Sequence, residues 1–291
     1  MGSSHSIEDE KRLIPSETWG LEGGFWNVRA SFKVKSILEI GTHMSIIRLQ
    51  NGKFLVIDTV PLDPRLKEEF DQLTNNGKDI EAVIATHPFH TLAFPAFREA
   101  YPDAPFYGCP RHLRTQPELK WEGEISQHLC RWKEDVEMRI PAGCEYVAPV
   151  PEASNHFVSV WVLAKKQKCV HVDDTLNYFA DPNLLMKVAG VHKEELMFHP
   201  SMKGPGLYPT PEAPEQFKQW VLKVIQEWEF EAVCTAHRDI LPRGGRQKLA
   251  KALNAAEPLF ADLKKRNEKG GVAQKEDGGS AQYNVEGCEC G

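Results

Sequence analysis

The chain contains no apolar run long enough to cross a lipid bilayer. Its longest clean run, residues 157–164, falls far short of the roughly 20 residues that a transmembrane helix needs. No apolar secretory segment follows Met1, so we expect a cytoplasmic or nuclear location. The sequence also lacks a basic excess. Its formal net charge is −6 and it shows no basic stripe, so we expect no nucleic-acid partner.

The chain also lacks an even set of cysteines that would suggest a disulfide framework. Five of its seven cysteines are scattered, mostly among apolar neighbours, which favours reduced and buried thiols. These five are Cys109, Cys130, Cys144, Cys169 and Cys234. Cys288 and Cys290 form a C-x-C near the C terminus that could bind a soft metal or oxidise. Two thiols alone lack the four ligands of a structural zinc site.

The first six residues fit the N-myristoylation pattern, with Gly2 as the acceptor and Ser6 at the Ser/Thr position. The same letters also resemble the start of an expression tag, although no histidine run follows. One myristoyl chain binds membranes only marginally. Gly2 therefore predicts at most a weak, peripheral membrane association beside the cytoplasmic location.

The composition and the order of predicted elements indicate one α/β domain. Of 291 residues, 41% are apolar and 26% are charged, which is ordinary for a globular protein. We predict a polar N-terminal arm over residues 1–22, the folded domain over 23–263, and a Gly-rich, disordered C-terminal tail over 264–291. An Asn51-Gly52 hairpin turn joins two early strands. Asp63 and Pro64 then predict the N-cap and first residue of a helix.

Strand and helix patterns alternate along the rest of the domain, which favours α/β layering. The predicted strands cover residues 80–86, 145–150, 157–164, 168–173 and 230–235. The predicted helices cover residues 92–100, 214–228 and 247–263.

Four residues with metal-binding side chains lie next to these buried strands. His87 follows the first strand, Asp174 follows 168–173, His237 follows 230–235, and His156 immediately precedes 157–164. Unrelated core histidines would not be expected to share this setting, since loops at the edge of a sheet are where functional residues gather. We therefore predict that His87, His156, Asp174 and His237 form one site.

The order of these residues resembles the metallo-β-lactamase superfamily, which carries His-x-His-x-Asp-His after a strand and then His, Asp and His on later loops. His87 matches the first His, whereas Phe89, Thr91 and Leu92 stand where the second His, the Asp and the last His belong. The resemblance covers about residues 36–260. It extends to residues 155–156, to 173–176 beside the family's Gly-Asp-Thr-Leu, and to the hairpin that ends at Asp58. It implies a metallo-β-lactamase-like αββα sandwich of two mixed β-sheets flanked by helices.

The resemblance implies two metal ions in intact members, with the later Asp between them. Here the losses leave at most one ion, Zn or Fe, or no ion at all. His87, His156 and Asp174 form a two-His-one-carboxylate set, and His237 remains from the second site. His90 is either an additional ligand or a surface or capping residue. His171 either packs in the core or lines the site.

Three functions stay open at this stage. The first is a hydrolase that uses one metal ion to activate water on a small ester, thioester or amide. The second is a mononuclear non-haem iron dioxygenase that acts on a sulfur substrate. The third is a non-catalytic binding protein (a pseudoenzyme) with the same fold. A small-molecule substrate or ligand is expected, but the sequence names neither that molecule, nor the ion, nor the oligomeric state.

Overall fold

A computed structural model describes residues 12–34, 38–182, 187, 191–237 and 239–270 of the chain. Within these residues the strands are β1 (Ile14–Pro15), β2 (Phe25–Ala30), β3 (Lys33–Val34), β4 (Leu38–Glu39), β5 (Thr42–Arg48), β6 (Phe54–Ile57), β7 (Ile80–Ile84), β8 (Phe106–Gly108), β9 (Gly123–Glu124), β10 (Val136–Arg139), β11 (Trp161–Ala164), β12 (Cys169–His171), β13 (Leu176–Tyr178), β14 (Leu196–Phe198), β15 (Ala232–Cys234) and β16 (Ile240–Leu241). The helices are α1 (Pro64–Thr74), α2 (Phe94–Ala100), α3 (Pro110–Thr115), α4 (Ala213–Glu227), α5 (Gly245–Ala255) and α6 (Glu257–Gly270).

The first sheet has the strand order β1-β2-β5-β6-β7-β8-β9. Its first four strands pair antiparallel, and β6 to β9 pair parallel. The predicted Asn-Gly hairpin joins β5 and β6. There Gly52 has a φ of 84°, and the Asn51 side chain accepts a hydrogen bond from the backbone N–H of Lys53 at 2.9 Å. Glycine suits this turn because a positive φ is strained for other residues.

The second sheet has the order β10-β11-β12-β15-β16, and it is also mixed. The β12–β15 pair is parallel, and the other three pairs are antiparallel. Because β7, β12 and β15 each end three residues before a predicted ligand, the sheets bring chain segments from residues 84 to 237 to a common edge. Two short hairpins, β3–β4 and β13–β14, stand outside the main sheets.

The two sheets pack face to face, with helices on both outer faces. Alternate residues of β6 point to opposite faces of the first sheet. Leu55 and Ile57 pack in the core between the sheets, whereas Val56 packs in the apolar cluster under α1 and α2. This follows from strand geometry, in which successive side chains point to opposite faces. On the far side, α4 packs on the second sheet, where Trp220 and Trp161 meet edge to face at 5.0 Å. The predicted αββα sandwich is confirmed.

Helix α1 begins as the sequence predicts. The Asp63 carboxylate accepts a hydrogen bond from the backbone N–H of Leu66 at 2.9 Å, and Pro64 occupies the first helical position. The side chains of Leu66 and Phe70 then bury one face of α1 against the first sheet.

Asp63→Ala is expected to lower the free energy of unfolding by about 1 kcal/mol, because it leaves a helix N–H group without its cap. Chemical denaturation measures the change. Asp63→Ser is the matched control, since serine also caps helices and should restore most of the loss. Equal stability of the alanine variant and the wild type would show that the cap contributes nothing here.

The structure corrects three predicted elements. Residues 145–150 do not form a strand, because the Glu145 carboxylate accepts hydrogen bonds from the N–H groups of Val147 and Ala148 and so folds the backbone locally. The predicted strand 157–164 is regular only over β11. The predicted helix 247–263 is two helices, α5 and α6, that break at Ala256. Pro258 has no N–H to donate and so cannot continue α5.

The predicted domain boundaries also shift. Part of the predicted arm belongs to the first sheet, because Ile14 and Pro15 pair with β2. Helix α6 continues to Gly270, past the predicted start of the tail, because Phe260 and Leu263 pack into the core and Asn267 donates a hydrogen bond to the Thr210 carbonyl at 2.8 Å. Gly2, Cys288 and Cys290 lie outside the described residues. No helix within the described ranges is long and apolar enough to span a membrane.

Candidate metal centre

The predicted ligands meet at one edge of the sandwich, around Asp174. The Nε2 atom of His237 lies 2.7 Å from Asp174 Oδ1. The other carboxylate oxygen, Oδ2, faces three imidazoles: His87 Nε2 at 3.5 Å, His90 Nε2 at 3.7 Å and His156 Nδ1 at 3.8 Å. We call these five residues the Asp174 cluster. It joins segments that are up to 150 residues apart in the chain, 87 to 237.

Hydrogen bonds on the far side of two rings fix which nitrogen faces Asp174. The Nδ1 atom of His237 is 2.8 Å from the backbone carbonyl of Gly41, so Nδ1 carries the proton. The Nε2 atom of His156 is 2.8 Å from the carbonyl of Glu152, so this ring is protonated at Nε2. In their neutral forms, both rings therefore present a bare lone pair to Asp174, as a metal ligand does when its other nitrogen donates to a carbonyl.

The carboxylate at the centre is charged and incompletely satisfied. Asp174 is buried, which favours its neutral form, but the imidazoles of His237 and His87 outweigh burial and hold its pKa well below the usual value. Although His237 Nε2 lies close to Asp174 Oδ1, the two atoms do not form a hydrogen bond. Asp174 Oδ1 therefore has no hydrogen-bond partner among the described residues. The same holds for His87 Nε2, which is also buried. Unsatisfied buried atoms of this kind call for a ligand between them.

His87 and His90 lie on one short turn after β7, and their charge states differ. Burial, followed by the charge of His90, lowers the pKa of His87 to about 3, so this ring is neutral. Its Nδ1 accepts a 3.2 Å hydrogen bond from the Phe89 N–H, which places the proton on Nε2. Coordination through Nε2 therefore requires the other tautomer of His87 and the loss of that one hydrogen bond.

His90 bridges two carboxylates. Its Nδ1 lies 3.3 Å from Asp173 Oδ1, and its Nε2 faces Asp174. Burial alone would lower the pKa of His90, but the two carboxylates together outweigh burial and raise it well above 6.5. The N-cap of α2 is Ala93, so His90 is not the capping residue of that helix. His90 therefore lies at the site beside both carboxylates, and its role as a metal ligand stays a prediction.

The three substituted positions of the motif have no ligand role. Phe89 stacks on His156 with ring centroids 4.5 Å apart, and so fills the space beside that imidazole. The side chain of Leu92 is 77% exposed and turns away from the centre. Thr91 offers a hydroxyl, which cannot act as a base at neutral pH.

A second polar cluster lies directly beneath the first and is completely buried. His43 Nε2 is 3.1 Å from Asp173 Oδ1, and His171 Nε2 is 3.1 Å from Asp58 Oδ2. The two rings stack with centroids 4.1 Å apart. We call His43, Asp58, Thr86, His171 and Asp173 the buried cluster. The sequence pointed to three of its members, Asp173 where the resembled family has glycine, His171 on the preceding strand and Asp58 at the end of the hairpin, but not to His43 or Thr86.

The Thr86 hydroxyl shows how the buried cluster balances its charges. Its oxygen lies 2.6 Å from both Asp58 Oδ2 and Asp173 Oδ2, yet it has one proton to donate. One carboxyl must therefore be protonated. Burial, followed by the charge of Asp173, raises the pKa of Asp58. Burial also acts on Asp173, but the neighbouring imidazoles of His90, His171 and His43 outweigh it and hold that pKa well below normal.

Asp58 is therefore the carboxyl that takes a proton more readily, and in that state it donates to Thr86 while Thr86 donates to ionised Asp173. The N–H of Thr86 also donates to Asp58 Oδ1 at 3.0 Å. The ligand atoms of His43, Asp58, His171 and Asp173 lie close enough to hold an ion. Because shared protons already satisfy them, we interpret the buried cluster as a hydrogen-bond network under the site.

Two mixed sheets packed face to face, outer helices, and a histidine–aspartate cluster at one sheet edge define the metallo-β-lactamase fold. Comparison with solved structures agrees. The chain is similar to the metallo-β-lactamase from Pontibacter korlensis, with 12% identity, 84% of this chain and 99% of that chain covered, and a TM-score of 0.51. It is similar to the metallo-β-lactamase from Hirschia baltica, with 13% identity, coverage of 84% and 96%, and a TM-score of 0.52.

VMB-1 matches with 16% identity, coverage of 84% and 99%, and a TM-score of 0.52. No family model matches the chain, and no curated protein matches it either. At these identities the likeness shows the fold alone. The chain has the metallo-β-lactamase fold, and its chemistry has to be argued from its own residues.

Proposed function

We propose that this protein binds one divalent metal ion through His87, His156, His237 and Asp174, and that it hydrolyses a small ester, thioester or amide there. The observation that carries the proposal is the contact between His237 and Asp174. His237 Nε2 and Asp174 Oδ1 lie 2.7 Å apart without forming a hydrogen bond, and whenever the ring is neutral its only proton is donated to Gly41, so that both atoms then offer lone pairs. A cation that binds both atoms as ligands would use both lone pairs.

The donor set favours zinc over iron. Three imidazoles and one carboxylate surround the proposed ion, and zinc takes nitrogen and oxygen ligands in four-coordinate sites. A non-haem iron oxygenase uses two histidines and one carboxylate and leaves several positions open. Here His237 adds a third imidazole at the shortest distance of the set. We therefore rank zinc-dependent hydrolysis above the iron dioxygenase.

The proposed metal site is open to solvent on one side. His87 is fully buried, whereas the side chains of His156 and His237 are 35% and 13% exposed. A substrate therefore approaches past His156 and His237, with Phe89 closing the space beside His156. A bound divalent ion would lower the pKa of a coordinated water to near neutrality, which offsets the missing aspartate at position 91.

A non-catalytic binding protein is the second candidate function. The observation that favours it is the side chain at position 91, because the hydroxyl of Thr91 cannot replace the aspartate that orients the nucleophilic water in intact members of the resembled family. Leu92, 77% exposed, also makes no contribution to a second metal site. Such a protein would keep the ion or the pocket without turnover.

Metal content per chain tests the proposal. Untagged protein purified without chelator should contain about one equivalent of zinc by plasma mass spectrometry. His237→Ala should reduce zinc affinity at least about tenfold, because it removes a ligand from the ion's inner sphere. The exposed His192 gives the matched control, and His192→Ala should bind zinc like the wild type.

The outcomes separate the candidates. Zinc binding together with hydrolysis of activated esters or thioesters, both lost in His237→Ala, supports the hydrolase. Zinc binding without turnover on a broad panel of esters, thioesters and amides supports the non-catalytic alternative. A wild-type protein that binds no zinc, iron or manganese in titrations contradicts the metal site itself.

A further inference from the structure

Two separate loops carry ligands of the Asp174 cluster, and one arginine contacts both. Arg111, on α3, donates from Nη1 to the carbonyl of Pro88 at 3.2 Å, between His87 and His90. Its Nε and Nη2 atoms donate to the two carboxylate oxygens of Glu152 at 3.1 and 2.9 Å. Glu152 lies on the loop that leads to His156. A bidentate pair of this kind fixes direction as well as distance.

The same guanidinium lies over an aromatic ring that separates it from His156. The Cζ atom of Arg111 is 4.7 Å from the centroid of Phe89. Phe89 in turn stacks on His156 with centroids 4.5 Å apart and planes at 28°. Phe89 therefore contacts the Arg111 guanidinium and the His156 imidazole. In this way it connects the loop of His87 and His90 with the loop of His156.

A hydrogen bond from the His156 side chain to a backbone carbonyl completes this set of contacts. The Glu152 carbonyl accepts from His156 Nε2 at 2.8 Å, so the residue that binds Arg111 also sets the tautomer of His156. The other nitrogen, Nδ1, then faces Asp174. Arg111, Phe89, Glu152 and His156 thus form a closed ring of contacts, which we call the clasp.

We propose that Arg111 is a positioning residue that holds His156 in ligand geometry through the clasp. The inference rests on the proposed function in that His156 is taken as a metal ligand. Arginine suits the role because its planar group can pair with a carboxylate and stack on a ring together, which lysine cannot do. Glu152 is largely exposed, and exposed ion pairs add little to stability. The clasp therefore acts on the ligand rather than on the fold.

Arg111→Ala is expected to weaken zinc binding by about tenfold to a hundredfold, the range seen when a group that orients a metal ligand is removed. Competition with a chromophoric chelator measures the affinity, and the visible spectrum of the cobalt(II) form reports ligand geometry. Arg111→Lys should recover only part of the affinity. Its melting temperature, and that of the alanine variant, should stay near the wild-type value in chelator.

Arg114→Ala is the matched control. Arg114 lies on the same short helix and also donates to a loop carbonyl, that of Val147 at 2.7 Å, and its only interaction with the clasp in the described structure is a charge effect on Glu152 without a hydrogen bond. It should bind zinc like the wild type, with an unchanged cobalt spectrum. An Arg111→Ala protein that is folded and keeps both the wild-type affinity and the cobalt spectrum would overturn the proposal.

Nitrogen-15 NMR of the metal-free protein separates failure of the clasp from failure of the proposed function. In the wild type, the His156 ring should show a protonated Nε2 and a bare Nδ1. In Arg111→Ala, both tautomers should be populated. If the wild type binds no metal yet shows this tautomer change, the clasp stands and the metal proposal fails. A His156 signal that is the same in both proteins contradicts the clasp.

Discussion

Asp174→Asn is expected to abolish tight zinc binding and to lower the free energy of unfolding of the metal-free protein at neutral pH. The wild-type carboxylate is charged, buried and has an oxygen that faces the bare Nε2 of His237. An amide removes that charge, and its N–H can donate to Nε2 if it takes the place of Oδ1. Because the surrounding histidines hold the pKa of Asp174 below its usual value, the ionised carboxylate stabilises the fold at neutral pH, and the amide loses that contribution.

Thermal unfolding with chelator and with zinc measures both halves of this expectation. At a free zinc concentration 100 times its dissociation constant, the wild type should gain about 2.7 kcal/mol of stability, and the variant should gain almost none. Asp103→Asn, on an exposed turn, should behave as the wild type in both conditions. An Asp174→Asn protein that keeps the full zinc shift would rule out Asp174 as the central ligand.

Thr86→Val is expected to lower the free energy of unfolding by about 3 kcal/mol, because it removes the hydroxyl that links two buried carboxyl groups. Valine has nearly the same shape as threonine, so packing changes little. Asp58 and Asp173 would then face each other without the hydroxyl group that hydrogen-bonds to both carboxyl groups. Because Thr86 directly precedes His87, zinc affinity should fall as well.

Chemical denaturation of metal-free protein gives the stability change. Thr18→Val is the control, since the Thr18 hydroxyl is exposed and donates only to a nearby carbonyl, that of Pro15. It should change stability by less than about 0.5 kcal/mol. If Thr86→Val costs no more than this control, the shared-proton account of the buried cluster is wrong.

Several features of the fold were readable from short stretches of sequence. The Asn51-Gly52 turn, the Asp63 cap and the buried strand β7 each depend on neighbouring residues, and each lies where it was predicted. The misjudged elements have local causes that the apolar pattern hid. Pro258 breaks a continuous helical periodicity, and the Glu145 side chain replaces the bonds of a strand ladder.

The candidate site was also predicted only in part from the sequence. Its proposed ligands could be listed from the sequence because each follows or precedes a buried strand. The sequence could not show that His90 reaches Asp173 and Asp174. Nor could it show the clasp, because Arg111 and Glu152 are 41 residues apart and neither belongs to a motif.

The sequence by itself determined the α/β layering and the strand ends where the proposed ligands gather, because these follow from local periodicity and residue type. The loss of three positions of the metal motif followed from the resemblance to the metallo-β-lactamase superfamily. Only the tertiary structure decided which nitrogen of His156 and of His237 is bare, and which carboxyl of the buried cluster keeps a proton. Those properties depend on the partner of each group, and the partners come from distant segments: His43 and Asp173 are 130 residues apart. A proton's position follows from three-dimensional contacts and burial, which residue order does not record.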